Sequence, residues 1–257
     1  MRSVLYNNST IFYRVSGLGN PVIFLHGFLE NHSIWNTIAT EIETLGFKVV
    51  LIDLPCHGKS RFDGSICSMQ FMAKAVQKIM AEEKISNPFI FGHSLGGYVA
   101  LEIAKLTPIK LTLVHSNFWA DSENKKIDRN RVVSIVEKNK SRLLNEAIPN
   151  LFAEVNRKKC LPTINQLISD AEIIPANEII ACTRGMRDRL DNKAIVEKTA
   201  INCIQGDLDT VVKPEIMQQQ LKKISHNVNL ITIKNCGHMS IWESRNQLIS
   251  CIKTIVI

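Results

Sequence analysis

The stretch Gly92-His93-Ser94-Leu95-Gly96-Gly97 puts a serine between glycines two residues to either side. It follows the apolar run Phe89-Ile90-Phe91 and precedes an amphipathic segment, Tyr98 to Leu106. This order predicts a strand, a sharp turn and a helix. A turn so tight leaves no room for a side chain at either flanking position, and Gly97 lets the helix lie close to the sheet. The serine then heads a helix whose free N–H groups point at whatever its hydroxyl attacks. That is the arrangement of a nucleophile elbow. A nucleophilic serine needs a base, and the base needs an orienting acid. Gly206-Asp207-Leu208-Asp209 offers two carboxylates, and Cys236-Gly237-His238 offers an imidazole. The chemistry open to such a set is acyl transfer through a covalent serine intermediate.

The elements that must position these groups are legible as an alternation. Val4-Leu5-Tyr6 and Ile11 to Val15 read as a hairpin at a sheet edge. Val22-Ile23-Phe24-Leu25, Lys48 to Ile52, Phe89 to Phe91 and Leu111 to His115 are short apolar runs of the kind found in strands buried on both faces. Helical patterns lie between them: Trp35 to Leu45, with Trp35, Ile38, Ile42 and Leu45 on one face and Gly46 ending it, and Met69 to Lys84. From about Trp119 to Lys193 the alternation lapses into helices and polar loops. It resumes with Ala200 to Ile204, a helix near Pro214 to Ile224, Leu230 to Ile233 and a last helix from Ser244. The expected fold is α/β, a mostly parallel sheet flanked by helices. The expected division is a core of 1–118 and 194–257 with a helical insertion, 119–193, over the C-terminal strand ends, where open α/β sheets bind ligands. Ser94, the Asp207/Asp209 pair and His238 each fall just after a parallel strand, so one sheet edge collects all of them.

Composition narrows the class. The 257 residues suffice for a full core. A formal charge of +7 is met by a solvated basic surface and calls for no nucleic-acid partner. No apolar run approaches the roughly 20 residues of a membrane span. The first residues lack the apolar core and cleavage site of a secretory signal. Seven scattered cysteines without a C-x-x-C pair read as reduced thiols in a cytoplasmic protein. His26, His57, His93 and His115 are not spaced as metal ligands, and no cofactor is expected. Nothing in the pattern sets an oligomeric state.

At these motifs the chain resembles the α/β-hydrolase superfamily, and the resemblance runs over nearly its whole length. Gly206, Asp209 and Pro214 match the family's pattern around the acid, which implies Asp209 rather than Asp207 as the partner of His238. His26-Gly27-Phe28 resembles the H-G-x loop and implies the backbone N–H of Phe28, with that of Leu95, as the oxyanion hole. Asp53 to Ser60 resembles the D-x-P-G-H-G-x-S loop but carries Cys56 where the family has glycine. His26 and His57 are then hydrogen-bonded structural histidines, and His93 follows the elbow's usual spelling. The resemblance implies Ser94, Asp209 and His238 as the catalytic triad of a serine carboxylesterase. Serine at the elbow sets the chain apart from the dehalogenases and epoxide hydrolases, which carry aspartate there.

By the same resemblance the insertion is a cap that shapes the acyl pocket. Its apolar positions (Phe118, Trp119, Ile135, Leu143, Leu144, Leu151, Phe152, Leu167, Ile168 and Met186) are expected mostly in packing, with a minority at the pocket. Trp119 and Met186, with His26 and Met239 from the core, are the expected substrate contacts. Lys125, Lys126, Arg129, Arg131, Lys138, Lys140 and Arg142 form a basic stretch, either a solvated helix face or a dock for an acyl carrier protein. Some capped relatives, the pimeloyl carrier-protein methyl ester esterase among them, cleave esters or thioesters carried that way. Arg184, Arg187 and Arg189 could instead meet a carboxylate, as in the carbon–carbon lyase of the menaquinone-synthase type. A non-catalytic ligand receptor is the remaining alternative. A small-molecule ester is the leading substrate.

Overall fold

In a computed structural model of the chain, residues 1–224 and 228–257 are described. The chain runs β1 (Arg2–Tyr6), β2 (Ser9–Ser16), β3 (Pro21–Leu25), α1 (Asn36–Glu43), β4 (Lys48–Ile52), α2 (Met69–Glu82), β5 (Phe89–His93), α3 (Leu95–Ala104) and β6 (Lys110–Val114). Four helices follow: α4 (Glu123–Ala147), α5 (Glu154–Glu172), α6 (Ala176–Arg187) and α7 (Lys193–Val196). The sheet then resumes with β7 (Ile201–Gly206), α8 (Pro214–Leu221), β8 (Val228–Ile233), α9 (Ser240–Glu243) and α10 (Arg245–Val256).

The eight strands lie in the order β1-β2-β4-β3-β5-β6-β7-β8. β1 and β2 form the expected edge hairpin, β2 runs antiparallel to β4, and every other pairing is parallel. Strand alternation splits the apolar residues between two faces. Ile23, Leu25, Val50 and Ile52 pack with α2 and α3 on one side. Val22, Phe24, Val49 and Leu51 pack with α1 and α10 on the other. Continuous apolar runs are needed because both faces are covered, and each fully buried Val, Leu, Ile or Phe contributes roughly 1.5–3 kcal/mol.

Local chemistry sets the ends of the helices. Ser68 Oγ accepts the Phe71 N–H at 3.1 Å and starts α2, and Ser122 Oγ accepts the Lys125 N–H at 3.3 Å and starts α4. Such caps are worth about 1 kcal/mol. The helix expected over Trp35 to Leu45 begins as a 3-10 turn, His32–Trp35, and its α-helical part stops at Glu43. Leu45 lies beyond that end and is exposed, because Gly46 turns the chain away at φ +82°. The helix α4 is bent at Asn139, whose φ of −160° and ψ of 88° interrupt it.

Cys56 stands at φ +73°, the backbone region that favours glycine, and is fully buried. The turn survives the substitution because Asp53 holds it from inside. One Asp53 oxygen accepts the His32 N–H at 2.9 Å, and the other accepts the Lys59 N–H at 2.9 Å.

Candidate active site

The register of β3, β5, β6, β7 and β8 brings five strand ends to one edge. Leu25 pairs with Gly92, His93 with Val114 and Gly206 with Ile233. Ser94 follows β5 with φ 49° and ψ −112°, a conformation that L-residues rarely adopt. Its backbone is held from both directions: its N–H donates to Val114 O at 2.9 Å, and its carbonyl accepts the Ser116 hydroxyl at 2.7 Å. A Cβ on Gly96 would stand 2.5 Å from Leu25 O and 2.8 Å from His26 O. One on Gly92 would stand 2.5 Å from the Gly96 backbone. Both flanking positions therefore demand glycine.

His238 Nδ1 lies 2.9 Å from Asp209 Oδ2 and 3.1 Å from Oδ1. Asp209 Oδ1 also accepts the N–H groups of Val211 and Val212, each at 2.9 Å. Asp207, the other candidate acid, accepts the Cys236 N–H at 3.3 Å and reaches Lys234. The carboxylate beside His238 is therefore that of Asp209. Burial alone would raise its pKa, but His238 and a hydrogen bond from His115 hold it well below the usual carboxylate range.

His115 is a partner the sequence did not reveal. It directly follows β6, the strand between those carrying Ser94 and Asp209. Its Nδ1 lies 3.0 Å from Asp209 Oδ2 and its Nε2 lies 2.7 Å from Ser240 Oγ. Burial lowers its pKa below the usual histidine range, against the pull of Asp209, so the ring is held neutral. A carboxylate accepts only, so the proton sits on Nδ1 and Ser240 donates to Nε2. The ligand atoms of His115, Asp209 and His238 lie within 4.8 Å of one another. These hydrogen bonds account for that closeness as an acid between two imidazoles.

A second buried pair ties the Gly27–Phe28 loop to His238. Glu30 accepts a hydrogen bond from the Gly27 N–H, and its Oε2 lies 3.0 Å from His93 Nδ1. His93 Nε2 lies 3.0 Å from the His238 carbonyl. Burial opposes a charge on His93, yet the Glu30 carboxylate raises its pKa, and a doubly protonated ring satisfies both contacts. Gly27 N–H is thereby engaged by Glu30. Among the described residues the N–H groups of Phe28 and Leu95 have no protein acceptor. Glu243 pins the loop that carries His238: it accepts the N–H groups of Gly237 and Met239, each at 3.0 Å, and of Ala153 at 2.9 Å.

Ser94 and His238 line one cavity of about 230 Å³ with Phe28, Tyr98, Leu151 and Met186. Of the expected substrate contacts, Met186 is on its wall. Trp119 lines an adjoining outer chamber of about 620 Å³. His26 and Met239 line neither. His26 is fully buried, its Nε2 accepting the Leu54 N–H at 3.0 Å, and Met239 is fully buried in the core. The three arginines suggested for a carboxylate are committed elsewhere. Arg184 donates to Ser65 O, Arg187 to Asp188 and Asn130, and Arg189 to Asp121 and two carbonyls. Lys125 and Arg129 are the cations that reach the cleft.

The comparisons with known proteins agree with this architecture. A family model described as the alpha/beta hydrolase fold matches residues 20–118. A pimeloyl-[acyl-carrier protein] methyl ester esterase of Pseudoalteromonas atlantica is 24% identical over 243 residues, 90% of this chain and 92% of the relative. An AB hydrolase superfamily protein of Bacillus subtilis is 24% identical over 259 residues, 95% and 94% of the two chains. Among solved structures, a malate-bound thermophilic esterase from Thermogutta terrifontis superimposes with a TM-score of 0.91 at 22% identity, covering 100% of this chain and 98% of that one. With its strand order, its elbow and these likenesses, the chain has the α/β-hydrolase fold.

Proposed function

We propose that this chain is a serine hydrolase that cleaves a carboxylic ester through an acyl-enzyme. The observation that carries the reading is Ser94 on its strained elbow in the same cavity as His238, whose Nδ1 is held 2.9 Å from Asp209. Ser94 Oγ attacks the ester carbonyl carbon as its proton passes to His238 Nε2. The carbonyl oxygen takes up the negative charge against the N–H groups of Phe28 and Leu95, each such donor being worth about 3 kcal/mol in the transition state. The carbon–oxygen bond to the alcohol breaks, and the alcohol leaves with the proton from His238. Water then attacks the acyl-enzyme, giving its proton to His238, and Ser94 recovers a proton as the acid departs. Asp209 keeps the imidazole in the tautomer that can accept from Ser94.

The division into a core of 1–118 and 194–257 and a cap of 119–193 belongs to this proposal. Leu143, Ile148, Leu151 and Met186 would form the acyl wall. No helix among the described residues is long and apolar enough to cross a membrane. Seven free thiols, six of them buried, favour a reducing compartment such as the cytoplasm.

The test is hydrolysis of p-nitrophenyl butyrate, expected in the wild type and lost by at least about 10⁴-fold in Ser94→Ala. Undiminished turnover in that variant would remove Ser94 from the chemistry.

A second reading makes the substrate an ester on an acyl carrier protein, and the Pseudoalteromonas relative favours it. The outer face of α4 argues the other way. Lys126 pairs with Glu123, Arg131 with Asp128 and Arg142 with Glu146, while Lys140 binds two carbonyls. Much of the positive charge there is already answered locally.

A further inference from the structure

We infer that the ester cleaved at Ser94 carries an anionic group, a carboxylate or a phosphate, held by Lys125 and Arg129 where two chambers meet; this rests on the serine-hydrolase reading above. The inner chamber contains Ser94 and His238, and its wall includes Leu143, Ile148 and Met186. The outer chamber opens beyond it toward Trp119 and Lys213. Four residues line both: Tyr98, Lys125, Arg129 and Val211. Half of the partition between the nucleophile's chamber and the outer one is thus cationic.

The two cations stand one helical turn apart on α4, so they share a face. Their helix neighbours are answered locally, Lys126 by Glu123 at 2.8 Å and Arg131 by Asp128 at 3.1 Å. Lys125 has no ion-pair partner among the described residues. Arg129 spends its Nε on Asp121 at 3.1 Å. That carboxylate is shared with the buried Arg189, so one negative charge faces two guanidiniums. The outer chamber as a whole sets Lys125, Arg129, Arg189 and Lys213 against Asp121 and Asp191. In the inner chamber the carboxylate is Glu30, and its charge is taken up by His93.

Two like charges four residues apart repel, and their walled surroundings screen them less than open solvent does. Lys125 is an exposed residue that lines both chambers. Desolvation, followed by repulsion from Arg129, lowers its pKa. An anionic group at the partition removes both penalties, and a neutral ester removes neither. Clefts lined by one sign of charge also focus the field and concentrate an oppositely charged ligand.

The anion can sit on the acyl side or the alcohol side of the ester, and matched pairs separate the two. On the acyl side, p-nitrophenyl hydrogen glutarate is compared with p-nitrophenyl butyrate. On the alcohol side, 4-(carboxymethyl)phenyl butyrate is compared with 4-ethylphenyl butyrate. At low salt one anionic ester is expected to exceed its neutral partner in kcat/KM by about tenfold or more, the scale of one charge-assisted contact. The ratio should fall toward one in Lys125→Gln and in Arg129→Gln, chiefly through KM, and should shrink with added salt. Lys125→Arg should restore it, and Lys138→Gln, on the same helix but outside both chambers, should leave it unchanged.

Binding is read independently of turnover by titrating monomethyl glutarate and acetyl phosphate into Ser94→Ala, with and without Lys125→Gln. At least one should bind, about tenfold more weakly without Lys125. Ratios at or below one in both pairs, or ratios and binding indifferent to both variants, would overturn the inference. Hydrolysis of the neutral esters that still depends on Ser94 would leave the serine-hydrolase reading standing in that case.

Discussion

The sheet edge and the inserted helices solve different problems with different means. At the edge, each chemical group follows a strand whose register is set by backbone pairing, and its neighbours are backbone atoms. Gly96 faces Leu25 O and His26 O, and Ser94 is tied to Val114 and Ser116. In the insertion, position depends on which face of a helix a side chain occupies and on where the helix bends. Asn139 breaks α4 between Lys125 and Arg129 on one side and Leu143 on the other, and all three line the cleft. On the proposed function, the first region would fix what can be done to a carbonyl carbon. The second would decide which molecule brings one. The two are tied at many points: the His238 N–H donates to Leu151 O at 2.9 Å and the Cys67 N–H to Ala181 O at 3.0 Å, while Glu243 holds the N–H groups of Gly237 and Met239 together with that of Ala153.

If that contrast is right, variants in the two regions should fail differently. The largest effect belongs to the edge. Asp209→Asn removes the acceptor that sets the His238 tautomer and should lower kcat by about 10⁴-fold with little change in fold. Circular dichroism and steady-state kinetics together check it. A smaller and different effect is expected in the insertion. A Cβ on Gly185 would run into the carbonyl of Cys67, where α6 lies against the core loop. Gly185→Ala should therefore displace the wall carrying Met186, changing KM and the order of preference among acyl chains. Fluorophosphonate labelling of Ser94 should survive. Equal losses on every ester and no labelling would erase the distinction between the regions.

The smallest effect is in acid stability, and it too should divide the molecule. Burial lowers the pKa of His26, of His57 (to about 3, with His26 adding to it) and of His115. In the unfolded chain these groups titrate near pH 6.5. Below that the unfolded chain binds protons that the folded chain refuses, so their contribution is present above about pH 6.5 and is lost as the pH falls. The Glu30–His93 pair works with opposite signs. The raised pKa of His93 favours the fold below its unfolded value and is lost as pH rises through the folded one. The lowered pKa of Glu30 favours the fold above its unfolded value and is lost as pH falls. Residues 119–193 contain no histidine. Acid should thus loosen the sheet edge first, by up to about 1.4 kcal/mol per pH unit for each such histidine. Hydrogen exchange between pH 7 and pH 5 should show loss of protection around His57 and His115 before α5.

How much of this was legible in the sequence follows the same division. The strands, the elbow and the order of serine, acid and imidazole could be read because buried parallel strands and obligatory glycines leave patterns within a few residues. His115 carried a readable signal as well, a polar residue directly after the buried strand between those of Ser94 and Asp209, but its partner is 94 residues away. Glu30, Glu243 and the orientation of Lys125 and Arg129 left no local signature. A carboxylate that accepts backbone N–H groups looks like any surface acid, and a basic helix gives no sign of which cations turn inward. His26 and Met239 were expected at the substrate, yet both lie in the packing behind it.

The most direct test of the central claim is to react the protein with a fluorophosphonate and map the adduct by peptide mass spectrometry. The account predicts a single phosphonylated residue, Ser94, with labelling absent in Ser94→Ala and greatly slowed in His238→Gln. An adduct on another serine, or labelling undiminished in either variant, would contradict it.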